Sequence, residues 1–261
     1  LLIEDCIACG RDYHAGGARY NSTYIQGVGL GSVTDMLASL RTNIYERRRF
    51  TMADLLAAMA ADFRGHEEML RIVRDETPKY GNDDERADSL ARRVFESYWE
   101  AVDGRPNVRG GQHRVNMLPT TCHVYFGSVL GATPDGRRAG DTLSEGISPV
   151  QGADRKGPTA VLNSATCFDH IKTGGTLLNQ KMTPALLADE EGLRNLVHLV
   201  RVYFARDGHH IQFNVVTRAT LLDAQRHPEK HRDLIVRVAG YSDYFVKDRK
   251  STRLNSSHRI R

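Results

Sequence analysis

The 261-residue sequence contains no apolar run that approaches the ~20 residues a helix needs to span a bilayer. It has one tryptophan, four cysteines and 40% hydrophobic residues, a composition typical of soluble proteins. Its first residues include no methionine, no basic segment and no small-residue cleavage site, so we expect no signal peptide. We therefore predict a cytoplasmic protein without a membrane partner, and we interpret the chain as the C-terminal piece of a longer protein.

The net charge of +4 does not indicate a basic protein. Residues 247–261 contain six lysines and arginines against one aspartate, so that residues 1–246 together carry a charge of −1. Because the basic excess is confined to this tail, we predict no nucleic-acid partner. The tail also lacks helical or strand periodicity, and we interpret it as a foreign or aberrant segment.

The four cysteines do not form a recognisable metal or redox site. Cys6 and Cys9 have CxxC spacing and His14 lies nearby, but no second pair of cysteines or histidines completes a tetrahedral set. We therefore predict free thiols here and at Cys122 and Cys167, and no metal site.

Hydrophobic periodicity predicts an alternation of helices and extended segments. The predicted helices are 1–12, 32–42, 50–63, 66–73, 87–102, 193–204 and 218–226. The predicted extended segments are 20–26, 209–216 and the two flanks 235–239 and 244–246, and residues 113–118 and 123–129 are predicted to be buried strands or barrel-lining loops. Residues 159–167 fit either type of element, and no internal repeat is visible.

Three helix boundaries carry specific signals. The glycine-rich residues 27–31 are interpreted as a tight entry into the 32–42 helix rather than a phosphate loop, because the spacing matches no nucleotide-binding motif. Ser32 and Thr34 are expected to cap this helix, and Thr51 with Asp54 to cap the next one. The apolar face of the 32–42 helix is expected to consist of Val33, Met36, Leu37 and Leu40. The acidic run 83–85 is interpreted as a cap of the 87–102 helix, and not as a cation site.

Residues 235–245 contain a lone glycine, Gly240, between two apolar flanks. The simplest interpretation is a hairpin whose turn needs a positive φ, which glycine adopts without steric cost. A second interpretation depends on chemistry that glycine alone supports. Removal of a hydrogen atom from its α-carbon leaves a radical that can flatten and spread into both flanking peptide planes, since no Cβ crowds it.

The segment around Gly240 resembles the C-terminal radical motif of the glycyl radical enzymes, which are related to pyruvate formate-lyase. Similar stretches occur at 12–21, 131–138 and 146–150, so the resemblance extends over nearly the whole chain to Val246. It implies the C-terminal part of a ten-stranded α/β barrel with a radical-bearing finger loop. On this basis we predict a barrel segment at 1–139, a glycine radical domain at 140–246 and an aberrant tail at 247–261.

The resemblance implies that Gly240 carries the radical. The residues expected to support the radical loop are Arg237, Val238, Ala239, Tyr241 and Ser242. It also implies no bound cofactor, because a partner enzyme that uses S-adenosylmethionine and a [4Fe–4S] cluster installs the radical on the protein. A small-molecule substrate and a homodimer are further implications.

Within the family, residues 77–83, 117–123 and 170–175 are most similar to members that dehydrate trans-4-hydroxy-L-proline. The implied activity is that of a hydro-lyase, which forms a pyrroline-5-carboxylate through a glycyl-to-thiyl radical relay. The alternatives are glycerol or propanediol dehydration, choline cleavage, formate acetyl transfer, and a non-catalytic α/β module. The family's thiyl-cysteine motif does not occur in residues 1–246, so we expect no turnover by this chain alone.

Overall fold

A computed structural model describes residues 3–237 and 242–246. Parallel strands alternate with helices along most of the described residues, and an antiparallel hairpin is the last described element. The helices are α1 (Leu30–Ser39), α2 (Met52–Ala60), α3 (Glu67–Asp75), α4 (Glu85–Val102), α5 (Cys122–Val129), α6 (Pro158–Ala165), α7 (Glu190–Ala205) and α8 (Arg218–Arg226). The strands are β1 (Thr23–Gln26), β2 (His113–Asn116), β3 (Leu178–Met182), β4 (Ile211–Val215), β5 (Ile235–Arg237) and β6 (Ser242–Tyr244). The predicted aberrant tail, 247–261, lies outside the described residues.

The first four strands form one hydrogen-bonded strip in chain order. β1 pairs with β2, and β3 pairs with β4, all in parallel. The two pairs are joined where Met117 bridges to Thr176: the Met117 N–H donates to the Gly175 carbonyl at 2.8 Å, and the Leu177 N–H donates to the Met117 carbonyl at 3.1 Å. Because parallel neighbours need a long crossover, helices separate successive strands, as expected for part of an α/β barrel.

One face of this strip is covered by α4, α6 and α7. Phe95 stacks on Phe168 with ring centroids 4.6 Å apart, and the strand residues Val115 and Leu178 are fully buried against them. The buried members of this main core are Leu30, Phe95, Val115, Met117, Ile147, Val161, Leu162, Ala165, Phe168, Leu178 and Tyr203. The residues come from distant parts of the chain, so the core depends on the complete strip.

Most predicted helices are confirmed, and two of their caps are as expected. The Thr51 side chain accepts from the Asp54 N–H at 3.1 Å while Asp54 accepts from the Thr51 N–H at 2.9 Å, which is a complete capping box. Asp84 caps α4 by accepting from the Arg86 N–H at 3.1 Å. The segment 158–165, whose type the sequence left open, is helical.

The prediction for the 32–42 helix is wrong in its cap and in its buried face. The helix begins at Leu30 after Gly29, which takes a φ of 82° and offers no side-chain cap, and a π-helical segment, Leu40–Glu46, follows Ser39. The predicted apolar residues are only half-buried, whereas the small and polar side chains of the opposite face are buried. The reason is that this face meets polar loops: the Ser32 and Ser144 hydroxyls each accept from the other residue's N–H.

Two further predictions are wrong. Residues 3–10 form turns instead of a helix, because Asp5 and Gly10 have positive φ values and interrupt it. Residues 122–129 form α5 instead of a buried strand or a barrel-lining loop, although aromatic and β-branched residues favour strands. Here tertiary contact overrides propensity. A Cβ on Gly127 would lie 2.4 Å from the Asp141 carbonyl oxygen, so this helix packs directly on the 141–143 backbone.

Candidate functional site

The two strands of the hairpin predicted around Gly240 are present. β5 and β6 pair antiparallel, with Ile235 opposite Tyr244 and Arg237 opposite Ser242. β6 begins at Ser242, two residues earlier than the predicted flank. The connection consists of Val238, Ala239, Gly240 and Tyr241, four predicted site residues that lie outside the described residues.

The two remaining predicted site residues face each other at the base of that connection. Arg237 ends β5 and Ser242 begins β6, and both are exposed. The Arg237 Nη1 donates to the Ser242 Oγ at 3.2 Å. The structure therefore brings Arg237 and Ser242 together on either side of residues 238–241.

The hairpin has a small apolar core of its own, which we call the hairpin cluster. Its buried members are Val216, Leu221, Ala224, Val236 and Phe245. The Phe245 N–H donates to the Leu234 carbonyl at 2.8 Å and extends the strand pairing by one residue on each side. Thr217 caps α8 by accepting from the Thr220 N–H at 3.0 Å. Helix and hairpin therefore form one local unit.

This unit is joined to the barrel strip through β4. The Asn214 Nδ2 donates to the Arg237 carbonyl at 2.9 Å, and the Arg237 N–H donates to the Asn214 Oδ1 at 2.7 Å. The side-chain amide thus takes the place of a neighbouring strand along the outer edge of β5. A strand residue of the barrel thereby fixes the backbone three residues before Gly240.

Asn214 belongs to a polar surface on the strip. Asn179 and Lys181 of β3 lie in register with Gln212 and Asn214 of β4, and the Gln212 Nε2 donates to the Asn179 Oδ1. Alternation along a strand puts these four side chains on the face opposite Leu178, which points into the main core. The sequence predicted a shared face for His210, Gln212 and Asn214. It did not predict β3 as a strand, because three of its five residues have polar side chains and give no clear strand pattern.

The electrostatics of the unit follow from burial and charge pairs. Burial, and then the nearby charge of Arg237, lower the pKa of His210. Hydrogen bonds from His231 at 2.7 Å and His227 at 2.9 Å lower the pKa of Asp223 to about 2. Within residues 3–237 and 242–246, no group of three or more His, Cys, Asp or Glu side chains could hold a metal ion.

The cysteines occupy separate places, and in the described part of the chain all four are free thiols. Cys122 is the first residue of α5 and is exposed. Burial raises the pKa of Cys167 to about 12, so its thiol stays protonated and is a poor nucleophile. The Cys9 thiol donates to the Gly17 carbonyl at 3.2 Å.

Two family models match the chain. The one described as Pyruvate formate lyase-like matches residues 1–127, and the one described as Glycine radical matches residues 143–246. These matches, together with the α/β strip and its terminal hairpin, show that the chain belongs to the glycyl radical enzymes, and they confirm the predicted fold class.

The chain is also similar to individual members of this family. The chain is 54% identical over 244 residues to trans-4-hydroxy-L-proline dehydratase of Clostridioides difficile, a match that covers 94% of this chain and 31% of the relative. The crystal structure of hydroxyproline dehydratase from the same organism, with trans-4-hydroxy-L-proline bound, aligns with a TM-score of 0.94 at 52% identity, over 98% of this chain and 32% of the other. The glycerol-bound B12-independent glycerol dehydratase of Clostridium butyricum aligns with a TM-score of 0.92 at 41% identity, over 99% and 33% of the two chains.

The chain therefore spans about a third of the length of the relatives it matches. In the described ranges, no helix combines the length and the apolar character that crossing a membrane requires.

Proposed function

We propose that this chain supplies the radical-bearing part of a glycyl radical enzyme that dehydrates trans-4-hydroxy-L-proline to a pyrroline-5-carboxylate. Gly240 is the radical carrier in this proposal, and a radical S-adenosylmethionine enzyme with a [4Fe–4S] cluster installs the radical. The observation that carries the proposal is the hairpin joined to the barrel strip by Asn214, with the predicted glycine in its connection. The match of the Glycine radical family model to residues 143–246 supports it.

The proposed reaction needs no net oxidant. The glycyl radical takes a hydrogen atom from a cysteine thiol, and the thiyl radical takes one from a carbon of the substrate. The substrate radical then loses its hydroxyl group as water, with a carboxylic acid as proton donor, and recovers a hydrogen atom from the thiol. The ring nitrogen gives up one proton as the C=N bond forms, and this proton restores the carboxylic acid. Overall, hydroxyproline becomes the pyrroline carboxylate and one water molecule, and the radical returns to Gly240.

The choice of substrate is supported by the 54% identity to the hydroxyproline dehydratase of C. difficile. Glycerol dehydration is the second candidate, because the C. butyricum glycerol dehydratase aligns nearly as well along the same residues. Offering both substrates to the activated protein and identifying the products separates the two candidates: a pyrroline carboxylate supports the first, and an aldehyde from glycerol supports the second. Homodimer formation stays a prediction.

The radical assignment is tested in the full-length natural protein that contains residues 1–246 of this sequence. After anaerobic treatment with the activating enzyme and S-adenosylmethionine, we expect a carbon-centred radical in the electron paramagnetic resonance spectrum and cleavage at Gly240 on exposure to air. Gly240→Ala should lose both completely, because the added Cβ opposes a planar radical.

Gly110→Ala is the matched control. Gly110 has a positive φ, 79°, so that alanine is strained there, but a Cβ would meet no other atom within 4 Å. This variant should keep the radical signal. A signal that persists in Gly240→Ala, or that never forms in the unaltered protein, would refute the proposed function.

A further inference from the structure

We propose that a cavity beside α1 is a binding site for a zwitterionic amino acid, whose ammonium group meets carboxyl groups of the cavity wall and whose carboxylate group meets its cations. The cavity has a volume of about 400 Å³, a size typical of small-molecule sites. It is lined by α1, the end of α3, Lys79 and the segments 135–142 and 150–155. Every residue of this wall precedes β3 in the chain, so the site is separate from the radical hairpin and goes beyond the proposed function.

The wall of the cavity carries three cations and three carboxyl groups that are not paired with one another. The cations are Arg74, Lys79 and Arg137, and the carboxyl groups are those of Asp35, Asp135 and Asp141. Among the ion pairs that the described residues form, none joins one of these cations to one of these carboxyl groups. A fourth cation and a fourth carboxyl group, Arg155 and Asp75, pair with each other at 2.5 Å. The cavity therefore holds unlike charges apart.

Backbone carbonyls hold the three cations in place. Arg74 donates through Nε and Nη2 to the Gly136 carbonyl at 2.9 and 2.7 Å. The Lys79 Nζ donates to the Asp135 carbonyl at 3.1 Å and has two further N–H groups. Arg137 donates to five carbonyls, yet its Nε is buried and has no partner among the described residues. Each cation is thus fixed while its charge stays free to meet an anionic group.

The Asp35 carboxyl group gives the strongest indication of a ligand. Asp35 is fully buried, and its Oδ1 accepts from the Tyr80 N–H at 2.8 Å, whereas its Oδ2 is buried and has no partner in the described part of the chain. Burial raises the pKa of Asp35, the charge of Lys79 lowers it and that of Asp135 raises it, so both groups lie close to this carboxyl group. A buried polar atom without a partner costs free energy, and a donor from a ligand would remove that cost.

The balance of charges indicates the class of ligand. A metal ion would lie beside three cations, and the ranges 3–237 and 242–246 contain no group of three or more His, Cys, Asp or Glu side chains that could hold one. Phosphate or another anion would lie beside three carboxyl groups. An amino acid carries an ammonium and a carboxylate group in one small molecule, so each of its charges can form charge-assisted hydrogen bonds to groups of the opposite sign.

The test uses the full-length natural protein that contains residues 1–246 of this sequence, without activation, so that its result does not depend on the radical. Each common amino acid is offered in turn while hydrogen exchange is recorded. We expect at least one of them to slow exchange at residues 135–142 and 150–155. Its affinity is taken from the concentration that gives half of this protection.

Two analogues of that amino acid test whether both charges are needed. Its amide lacks the negative charge, and the corresponding acid without the amino group lacks the positive charge. Each analogue should bind at least about tenfold more weakly than the amino acid, because one set of charge-assisted hydrogen bonds is lost. This comparison needs no variant of the protein.

Two substitutions test whether the cavity is the site. Asp35→Asn keeps an acceptor for the Tyr80 N–H and removes the charge, and Lys79→Met removes the cation with little change in length. Each should weaken binding at least about tenfold. Asp88→Asn and Lys172→Met are the matched controls and should bind as the unaltered protein does. Asp88 is also a buried aspartate with one unpartnered oxygen, and Lys172 is also half-buried, but neither lines the cavity.

The outcomes distinguish this site from the radical assignment. The proposal is refuted if no amino acid slows exchange in the two segments, if either analogue binds as tightly as the amino acid, or if either Asp35→Asn or Lys79→Met binds as the unaltered protein does. Should a substitution prevent folding, the comparison with the analogues still decides. A protein that binds the amino acid as expected but never acquires a radical would support this site and refute the proposed function.

Discussion

The main core joins residues that are far apart in the sequence, whereas the hairpin cluster joins residues that are close together in it. The main core combines residues between Leu30 and Tyr203, and its buried strand residues, Val115 of β2 and Leu178 of β3, are separated in the chain by α5 and α6. The hairpin cluster combines residues between Val216 and Phe245, and most of its contacts are local. A unit with local contacts can loosen by itself, whereas a core assembled from distant segments opens as a whole. We therefore expect the hairpin cluster to open at a lower free energy than the main core.

The largest effect should come from matched truncations of one buried phenylalanine in each region. Phe95 and Phe245 are each 1% exposed. Either change to alanine should cost about 3–5 kcal/mol through lost burial and a cavity. Phe95→Ala should accelerate hydrogen exchange throughout β1–β4, because the main core is one unit. Phe245→Ala should accelerate it in α8, β5 and β6 only.

Tyr125→Ala is the control for these truncations, because it removes an aromatic ring that is 66% exposed. It should leave exchange in both regions within error. Should Phe245→Ala loosen β1–β4 as much as the hairpin, the two regions would form a single cooperative unit and the comparison would be wrong.

The next largest effect should be a pH dependence of stability that arises outside the hairpin cluster. Asp35 is fully buried in α1 and accepts from the Tyr80 N–H at 2.8 Å. Burial raises the pKa of Asp35 to about 7, although the charge of Lys79 opposes the rise. Between about pH 4 and pH 7 the folded protein therefore binds a proton that the unfolded chain releases, so this group makes stability fall as pH rises through that window.

Asp35→Asn should remove this dependence, because an amide keeps the acceptor for Tyr80 and has no proton to lose. The difference in unfolding free energy between the variant and the unaltered protein should be on the order of 4 kcal/mol more favourable to the variant at pH 8 than at pH 4. Urea titrations at pH 4, 6 and 8 measure it. Part of the slope should remain below pH 6, since burial also raises the pKa of Asp88 to about 6. Parallel pH curves for the two proteins would show that Asp35 is not the source.

The smallest effect should come from the helix caps. Thr217→Ala removes the acceptor for the Thr220 N–H and should destabilise α8 by about 1 kcal/mol. Exchange should rise in the first turn of α8 and in the hairpin that rests on it. Thr51→Ala removes the equivalent cap of α2 and serves as the comparison, with faster exchange in α2 alone. Equal responses in the hairpin would mean that α8 does not support it.

Residue patterns predicted the elements whose signals are local. The capping box of Thr51 and Asp54, the Asp84 cap of α4 and the hairpin strands on either side of residues 238–241 are present as expected. The predictions failed where packing opposed propensity. α5 forms from strand-favouring residues, and α1 buries Ser32 and Asp35 instead of Met36, since the loop residues Ser144 and Tyr80 hydrogen-bond to these two side chains.

The candidate site shows the same division. The sequence predicted Gly240, Arg237 and Ser242 as site residues from a contiguous motif, because the chemistry of a backbone radical needs a particular residue and its neighbours in order. It did not identify the role of Asn214 or the polar partners on β3, because residues 179, 214 and 237 are far apart in the chain.

The sequence by itself predicted which carbon carries the unpaired electron, since a glycine, which lacks a Cβ, can flatten between two amides. The tertiary structure alone decided what holds that residue's hairpin, because strand register and a single side-chain amide bring β4 against β5. The order of residues is fixed by the covalent chain, whereas contacts between distant segments form only when the parallel strands have paired.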